Sequence, residues 1–403
     1  MRADSVILEG SKAGVIVSDQ GVAPAGVVRP SRLDLRERRR TLAAAARSAI
    51  FLLKMMPIPS RPWDWMTHRP IVEPRWLSTQ GGRGEGDLYR PPSHGPHPSV
   101  LCVLGIVPAG VEHPLVTRLG EGLARAGFVA LLHRSTPMRD LRLDPDDIPE
   151  LASAYATLLR QPFVDPSRSG LLGVCVGGSF ALMAAASPSI REQVAFVFAY
   201  APYSSMWTLA VDIASGSRTL GDAHEPWDVD PLTWQAYVRS LTDWLSAADG
   251  ARLREAFEHR IRWNADKTVI LRSAVGHIDP SGLSEDGRAA LRVLSAGADE
   301  IESALGGLPP AAQDRLARLS PMNYIQDILA RRIILLHDRY DHVIPVGESR
   351  RLWAALAARP GASYVEMGLQ HLRMPRGLPP LRLAREIAKA YLGWYPLFRV
   401  TTV

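Results

Sequence analysis

Cysteine is nearly missing from this chain: Cys102 and Cys175 are the only two in 403 residues. Two thiols cannot build the disulfide framework of a small secreted domain, so a reduced, cytoplasmic setting is expected. Long apolar runs are missing too. The best candidate, inside RLDLRERRRTLAAAARSAIFLLKMMPIP at 32–59, is interrupted by Arg47 and Lys54 and falls short of the roughly 20 residues that cross a bilayer. No small-residue cleavage site follows it, which argues against a signal peptide. The segment reads instead as an amphipathic helix over 33–56 docked on the body of the protein, with membrane-surface contact as the lesser reading. There is no metal-ligand cluster, no phosphate-binding glycine loop and no dinucleotide fingerprint, so no metal and no cofactor are implied. The net charge of +6 is dispersed, without the basic stripe interleaved with aromatics that a nucleic-acid groove needs.

What is present is ordinary for a soluble enzyme: 46% hydrophobic and 22% charged residues, in a chain long enough to bury a large core. Residues 1–30 show no periodicity and are expected to be a flexible leader. Residues 31–75 hold the N-terminal helix and an irregular, proline- and tryptophan-rich connection. Regular patterning is expected over 76–203. RWLSTQGGRGEGDLYRP predicts a hairpin turning at Gly81, Gly82, Gly84 and Gly86. SVLCVLGIV (99–107), VALLHR and VAFVFAYAP then read as strands buried on both faces, alternating with helices. That alternation predicts an α/β fold with a mostly parallel sheet. Residues 204–318 show no strand rhythm and carry five tryptophans, Trp207, Trp227, Trp234, Trp244 and Trp263. They are expected to form a helical lid inserted before the strand that carries the catalytic acid. The α/β pattern resumes over 319–403 with RRIILLHDRYD, ESRRLWAALAARP and SYVEMG, and a last helix is expected from about Pro380 to Trp394.

The chemistry centres on GLLGVCVGGSF (170–180). Gly173-Val174-Cys175-Val176-Gly177 has the spacing of a nucleophile elbow, with Cys175 where serine is more usual. The central residue of such an elbow sits in a strained backbone conformation, and glycine on either side lets strand and helix pass closely. Cys175 is expected at an exposed turn, where a helix N-terminus favours the thiolate, and Cys102 inside a buried strand. A nucleophile needs a base, and the base needs a group that orients it. Asp338 and Asp341 follow one apolar run and His371 follows the next, so Cys175, Asp341 and His371 occur in the order nucleophile, acid, histidine, with Asp338 as the rival acid. His113, His133, His224 and His277 fall in the wrong segments for a base and read as surface or lid residues. An oxyanion hole would take one N–H from Val176 and another from Ile106 or Val107, since Pro108 has none.

From about residue 76 to 395 the chain resembles α/β-hydrolases. Its Gly-x-Cys-x-Gly-Gly elbow is similar to that of dienelactone hydrolases, and more weakly, with DHVIP around Asp341, to polyhydroxyalkanoate synthases. It departs from the former in its long lid and from the latter in lacking their other hallmark segments. The resemblance implies a Cys-Asp-His triad; Cys175 would attack an acyl carbon to give an acyl-thioester, and a tryptophan-bearing lid favours a small acyl substrate, apolar or mixed. Esters, lactones and thioesters suit a thiol better than amides, because a thiolate leaves a tetrahedral adduct more readily than an amine does. Two other classes use the same sequence features: an acyltransferase with an alcohol or thiol acceptor, and a non-catalytic binding protein on a degenerate hydrolase fold.

Overall fold

The computed structural model describes residues 32–55, 63–77, 84–107, 113–220, 223–258, 260–263, 268–271, 278–368 and 379–402. The chain begins with α1 (Arg32–Met55) and the short α2 (Trp63–Met66). Strands β1 (Ile71–Leu77) and β2 (Gly84–Arg90) pair as an antiparallel hairpin. Then come β3 (Ser99–Val103), α3 (Pro114–Arg125), β4 (Val129–Arg134), α4 (Thr136–Arg139) and α5 (Asp147–Leu159). β5 (Gly170–Val174), α6 (Val176–Ala185) and β6 (Phe196–Tyr200) follow. An insertion over 201–331 holds α7 (Met206–Ser215), the strands β7 (Ser217–Leu220) and β8 (Ala223–Pro226), α8 (Pro231–Thr242) and α9 (Ala247–Phe257). It continues with β9 (Arg260–Trp263), β10 (Thr268–Leu271), α10 (Glu285–Ser295), α11 (Ile301–Gly306) and α12 (Pro310–Arg318). β11 (Arg332–Asp338), α13 (Val346–Leu356), β12 (Ala362–Met367) and α14 (Pro380–Thr401) complete the chain.

Among the described residues, eight strands form one sheet in the order β1-β2-β4-β3-β5-β6-β11-β12. β2 runs antiparallel to β1 and β4, and the remaining neighbours are parallel. Pro74 lies in β1, the edge strand of the sheet, where a residue without a backbone donor is tolerated. The central parallel strands β3, β5 and β6 are almost entirely apolar because both faces are covered, and their side chains alternate between two cores. Leu101, Val103, Leu171, Val197, Ala199, Ile333 and Leu335 face one core, with α5, α6 and the insertion. Val100, Cys102, Leu172, Phe196, Phe198, Tyr200, Ile334 and Leu336 face the other, with α1, α3 and α14. There Phe51 of α1 meets Trp394 at 4.4 Å and Phe398 at 5.6 Å between ring centroids. Lys54, which interrupts the apolar face of α1 in sequence, is buried and paired with Asp64 at 2.9 Å and Glu121 at 2.7 Å.

Several boundaries differ from expectation. Gly84 and Gly86 lie inside β2 rather than in the hairpin turn, where Gly86 leaves room for Leu131 of the next strand. β1 already starts at Ile71, β3 stops at Val103, and α14 continues to Thr401 with Leu397 and Phe398 buried. The 204–318 stretch is not purely helical: β7 pairs with β8, and β10 with β9, as two-stranded hairpins. Such four-residue strands are too short to show the period-2 pattern in sequence.

The insertion is bound to the core at several points. Glu348, fully buried on α13, accepts hydrogen bonds from the Ser204 N–H at 2.6 Å and the Thr208 hydroxyl at 2.8 Å. On the other flank, Asp243 at the end of α8 accepts from Arg142 at 3.0 Å and Arg315 at 2.7 Å. Within the insertion, Tyr203 at its start donates to the Leu319 carbonyl near its end at 2.8 Å.

Candidate active site

Cys175 sits between β5 and α6 with φ 58° and ψ −135°, a conformation that costs a non-glycine residue on the order of 1–3 kcal/mol. The glycine spacing around it has a direct steric cause. A Cβ on Gly173 would overlap the Gly177 backbone, and one on Gly177 would overlap the Val103 carbonyl. Gly105, with φ +70°, brings the loop after β3 against the elbow, where an added Cβ would lie 2.6 Å from the Val174 oxygen. The elbow is pinned by the Cys175 N–H donating to Tyr200 O at 2.8 Å. Ile106 packs on the core that contains Cys175, whereas Val107 packs on the opposite one.

Cys175 is not exposed, as expected of a surface turn, but buried, with 8% of the residue accessible. Its environment opposes the thiolate expected there. Burial pushes the Cys175 thiol up to about 12, and the nearby Asp341 and Asp230 carboxylates add to the rise. A hydrogen bond from the Val176 N–H at the helix start acts the other way, but the cost of burying an anion outweighs it. Cys102 is fully buried in β3 and its thiol is raised by burial.

The two candidate acids are separated by strand alternation. Asp338 ends β11 in phase with Ile334 and Leu336, which face the core of α1, α3 and α14, and it accepts a hydrogen bond from Tyr200 of that core. Its carboxylate is therefore on the opposite side from Cys175. Asp341 lies past the strand end, fully buried, with Oδ1 accepting from the N–H groups of Val343 at 2.7 Å and Ile344 at 3.1 Å. Its Oδ2 is 3.8 Å from His337 Nε2, which also donates to Ile344 O at 3.0 Å. His371 and His277 lie outside the described residues, as does the side chain of His224. His113 caps α3 by accepting the Leu115 N–H at 3.3 Å. His133, expected at the surface, is buried in β4, and burial pulls it down to about 4.

Three residues near this site had no sequence motif to reveal them. Asp230, whose carboxylate acts on the thiol, caps α8 by accepting the Leu232 N–H at 2.8 Å; the Asp-Pro pair signals a helix start but not what the cap faces. Trp227 and Thr233 bond to the carbonyls of His342 and Val343 from the insertion. Among the described residues there is no group of three or more His, Cys, Asp or Glu placed to hold a metal, and no helix long and apolar enough to cross a membrane.

A sheet ordered 1-2-4-3-5-6 with an antiparallel second strand, a strained elbow after the fifth strand and a buried carboxylate beyond a later one define the α/β-hydrolase fold. The protein has that fold. No family model matches the chain. Over 138 residues, 30% of this chain, it is 32% identical to a probable 2-oxo-3-(5-oxofuran-2-ylidene)propanoate lactonase of Bradyrhizobium sp. The match spans about half, 53%, of that relative's length. Among solved structures it is similar to the 2,6-dihydroxy-pseudo-oxynicotine hydrolase, with TM-score 0.47, 15% identity, and coverage of 83% of this chain and 69% of that one. It is also similar to the α/β hydrolase GrgF of Penicillium sp. sh18, with TM-score 0.45, 16% identity, and coverage of 80% and 99%. Likenesses this distant add nothing to the strand order itself.

Proposed function

We propose that the protein is a hydrolase of carboxylic esters, lactones or thioesters that works through Cys175, His371 and Asp341. The observation that carries this reading is a thiol held in a strained elbow conformation with the Asp341 carboxylate close enough to act on it. The lactonase likeness favours the same bond type.

Because burial holds the thiol protonated, attack and proton removal belong together. His371 takes the Cys175 proton as sulfur bonds to the acyl carbon, and Asp341 orients the imidazole and stabilises the imidazolium. The adduct's oxygen would be met by the N–H groups of Val176 and of Ile106 or Val107. Collapse expels the alkoxide or thiolate, which takes the proton from His371 and leaves an acyl-thioester. Water, deprotonated by His371, then attacks the thioester; the carboxylic acid departs and the thiol is restored. The insertion serves as a cap over the pocket, and its aromatic content favours an apolar or mixed acyl group.

The test is turnover on a panel of esters, lactones and thioesters, with intact-mass detection of the acyl-enzyme. Cys175→Ala should abolish both signals, and Asp341→Asn should cost on the order of 10³-fold in kcat. Asp338→Asn should cost far less, because that carboxylate is bonded to Tyr200 across the sheet. A parent without activity on any of the panel, or an unimpaired Cys175→Ala, refutes the reading.

A further inference from the structure

The acid loop is held from outside the hydrolase core. Residues 339–345 connect β11 to α13, and two of their carbonyls are taken by side chains of the insertion. The Trp227 indole Nε1 donates to His342 O at 3.1 Å, and the Thr233 hydroxyl donates to Val343 O at 2.8 Å. Both donors are buried, at 4% and 9% exposure.

What makes these bonds more than docking contacts is which peptide groups they touch. The His342 carbonyl and the Val343 N–H belong to one peptide unit, and that N–H donates to Asp341 Oδ1 at 2.7 Å. The Val343 carbonyl and the Ile344 N–H belong to the next unit, and that N–H donates to the same oxygen at 3.1 Å. A peptide unit is planar, so holding its oxygen aims its N–H. A donor on the carbonyl also polarises the N–H at the far side and strengthens the bond it makes. Each insertion side chain thus grips one end of a rigid plate whose other end holds the carboxylate.

We propose that Trp227 and Thr233 are positioning residues that act on catalysis through Asp341, so that the insertion is part of the triad's support as well as a cap. This rests on the reading of Asp341 as the acid. The side of α8 that carries Thr233 cannot swing away during turnover without releasing the carboxylate. Its start is fixed by the Asp230 cap, and its end by Asp243 bonded to Arg142 and Arg315.

The experiment is a mutant cycle on the full chain. Trp227→Phe keeps an aromatic side chain but removes the donor together with the pyrrole half of the indole, Thr233→Val keeps the shape and removes the hydroxyl, and each is made with and without Asp341→Ala, so that a packing loss cancels in the cycle. Losing one buried hydrogen bond of this kind should lower kcat roughly 5- to 10-fold, with KM within about twofold. In the Asp341→Ala background the same substitutions should change kcat less than about twofold, because nothing remains to be positioned. Thr233→Ser should restore the rate. Deuterium exchange of the 339–345 segment should quicken in both single variants, a readout that needs no activity. Losses of equal size with and without Asp341, or unchanged rate and exchange, overturn the proposal while a damaging Asp341→Ala leaves the triad standing. An Asp341→Ala variant with full kcat overturns the triad, and the positioning role with it.

Discussion

Replacing Gly105 by alanine tests the tightest approach in the site. Gly105 has φ +70°, and its added Cβ would lie 2.6 Å from the Val174 oxygen, 3.0 Å from the Gly177 nitrogen and 3.3 Å from Val176 Cγ2. Two of these three neighbours are backbone of the elbow, so no rotamer change relieves the contact. An ordinary carbon–oxygen contact needs about 3.3 Å, which means a displacement of several tenths of an ångström. The left-handed conformation costs alanine roughly 1–2 kcal/mol, and overpacking adds roughly 1–3 kcal/mol. The expected loss of stability is therefore about 2–5 kcal/mol, read as a lower denaturation midpoint at unchanged slope. Whichever side yields, the distance between the thiol and the loop that would supply the second oxyanion donor changes, and kcat/KM should fall on the order of 10²-fold. Gly95→Ala is the control: with φ +105° and nothing within 4 Å of the added Cβ, it pays only the conformational cost and should leave kcat/KM intact. Should Gly105→Ala match Gly95→Ala in both measurements, the close packing of loop and elbow has no part in the site.

The remaining predictions concern parts of the molecule away from the thiol. Burial raises Asp147 to about 7, although the Ser135 hydroxyl bonds to it. Its folded value thus exceeds the unfolded one, and stability is lost as pH rises from about 4 to 7. Asp147→Asn should therefore stabilise progressively over that range, by at most roughly 4 kcal/mol, in denaturation curves at several pH values; a gain independent of pH contradicts the assignment. His133 has the opposite sign: its folded value of about 4 lies below the unfolded one, so its contribution is lost as pH falls from about 6.5 to 4. His133→Gln should flatten acid destabilisation in that window, and an unchanged acid limb would show the histidine to be solvated. Phe51→Ala should cost about 3–5 kcal/mol yet spare kcat, since Phe51 lies on the core opposite Cys175; an equal loss of both would mean that the two faces are coupled.

Much of this architecture was legible along the chain because it follows from local periodicity and from glycine sterics. Runs such as IILLH and VAFVFAY, short and rich in β-branched and aromatic residues, read as strands covered on both faces, and the elbow's glycines mark a place where backbone passes backbone. The N-terminal helix was legible as amphipathic, but not that Lys54 would be buried between Asp64 and Glu121. The hairpins of the insertion were hidden, since four residues contain too few alternations to set a period.

By itself the sequence determined the alternating strands and helices of the core and the glycine spacing of the elbow around Cys175, because these depend on residues adjacent in the chain. The sequence favoured Asp341 over Asp338 by position alone; only the tertiary structure showed that strand phase and the Tyr200 hydroxyl turn the Asp338 carboxylate to the opposite side of the sheet. It also supplied what opposes the thiolate: the helix start that favours the anion is local, but the desolvation that raises the thiol comes from side chains far away in sequence. The grip of Trp227 and Thr233 on the acid loop is of the same kind, joining residues more than a hundred positions apart, a pairing that no local pattern encodes.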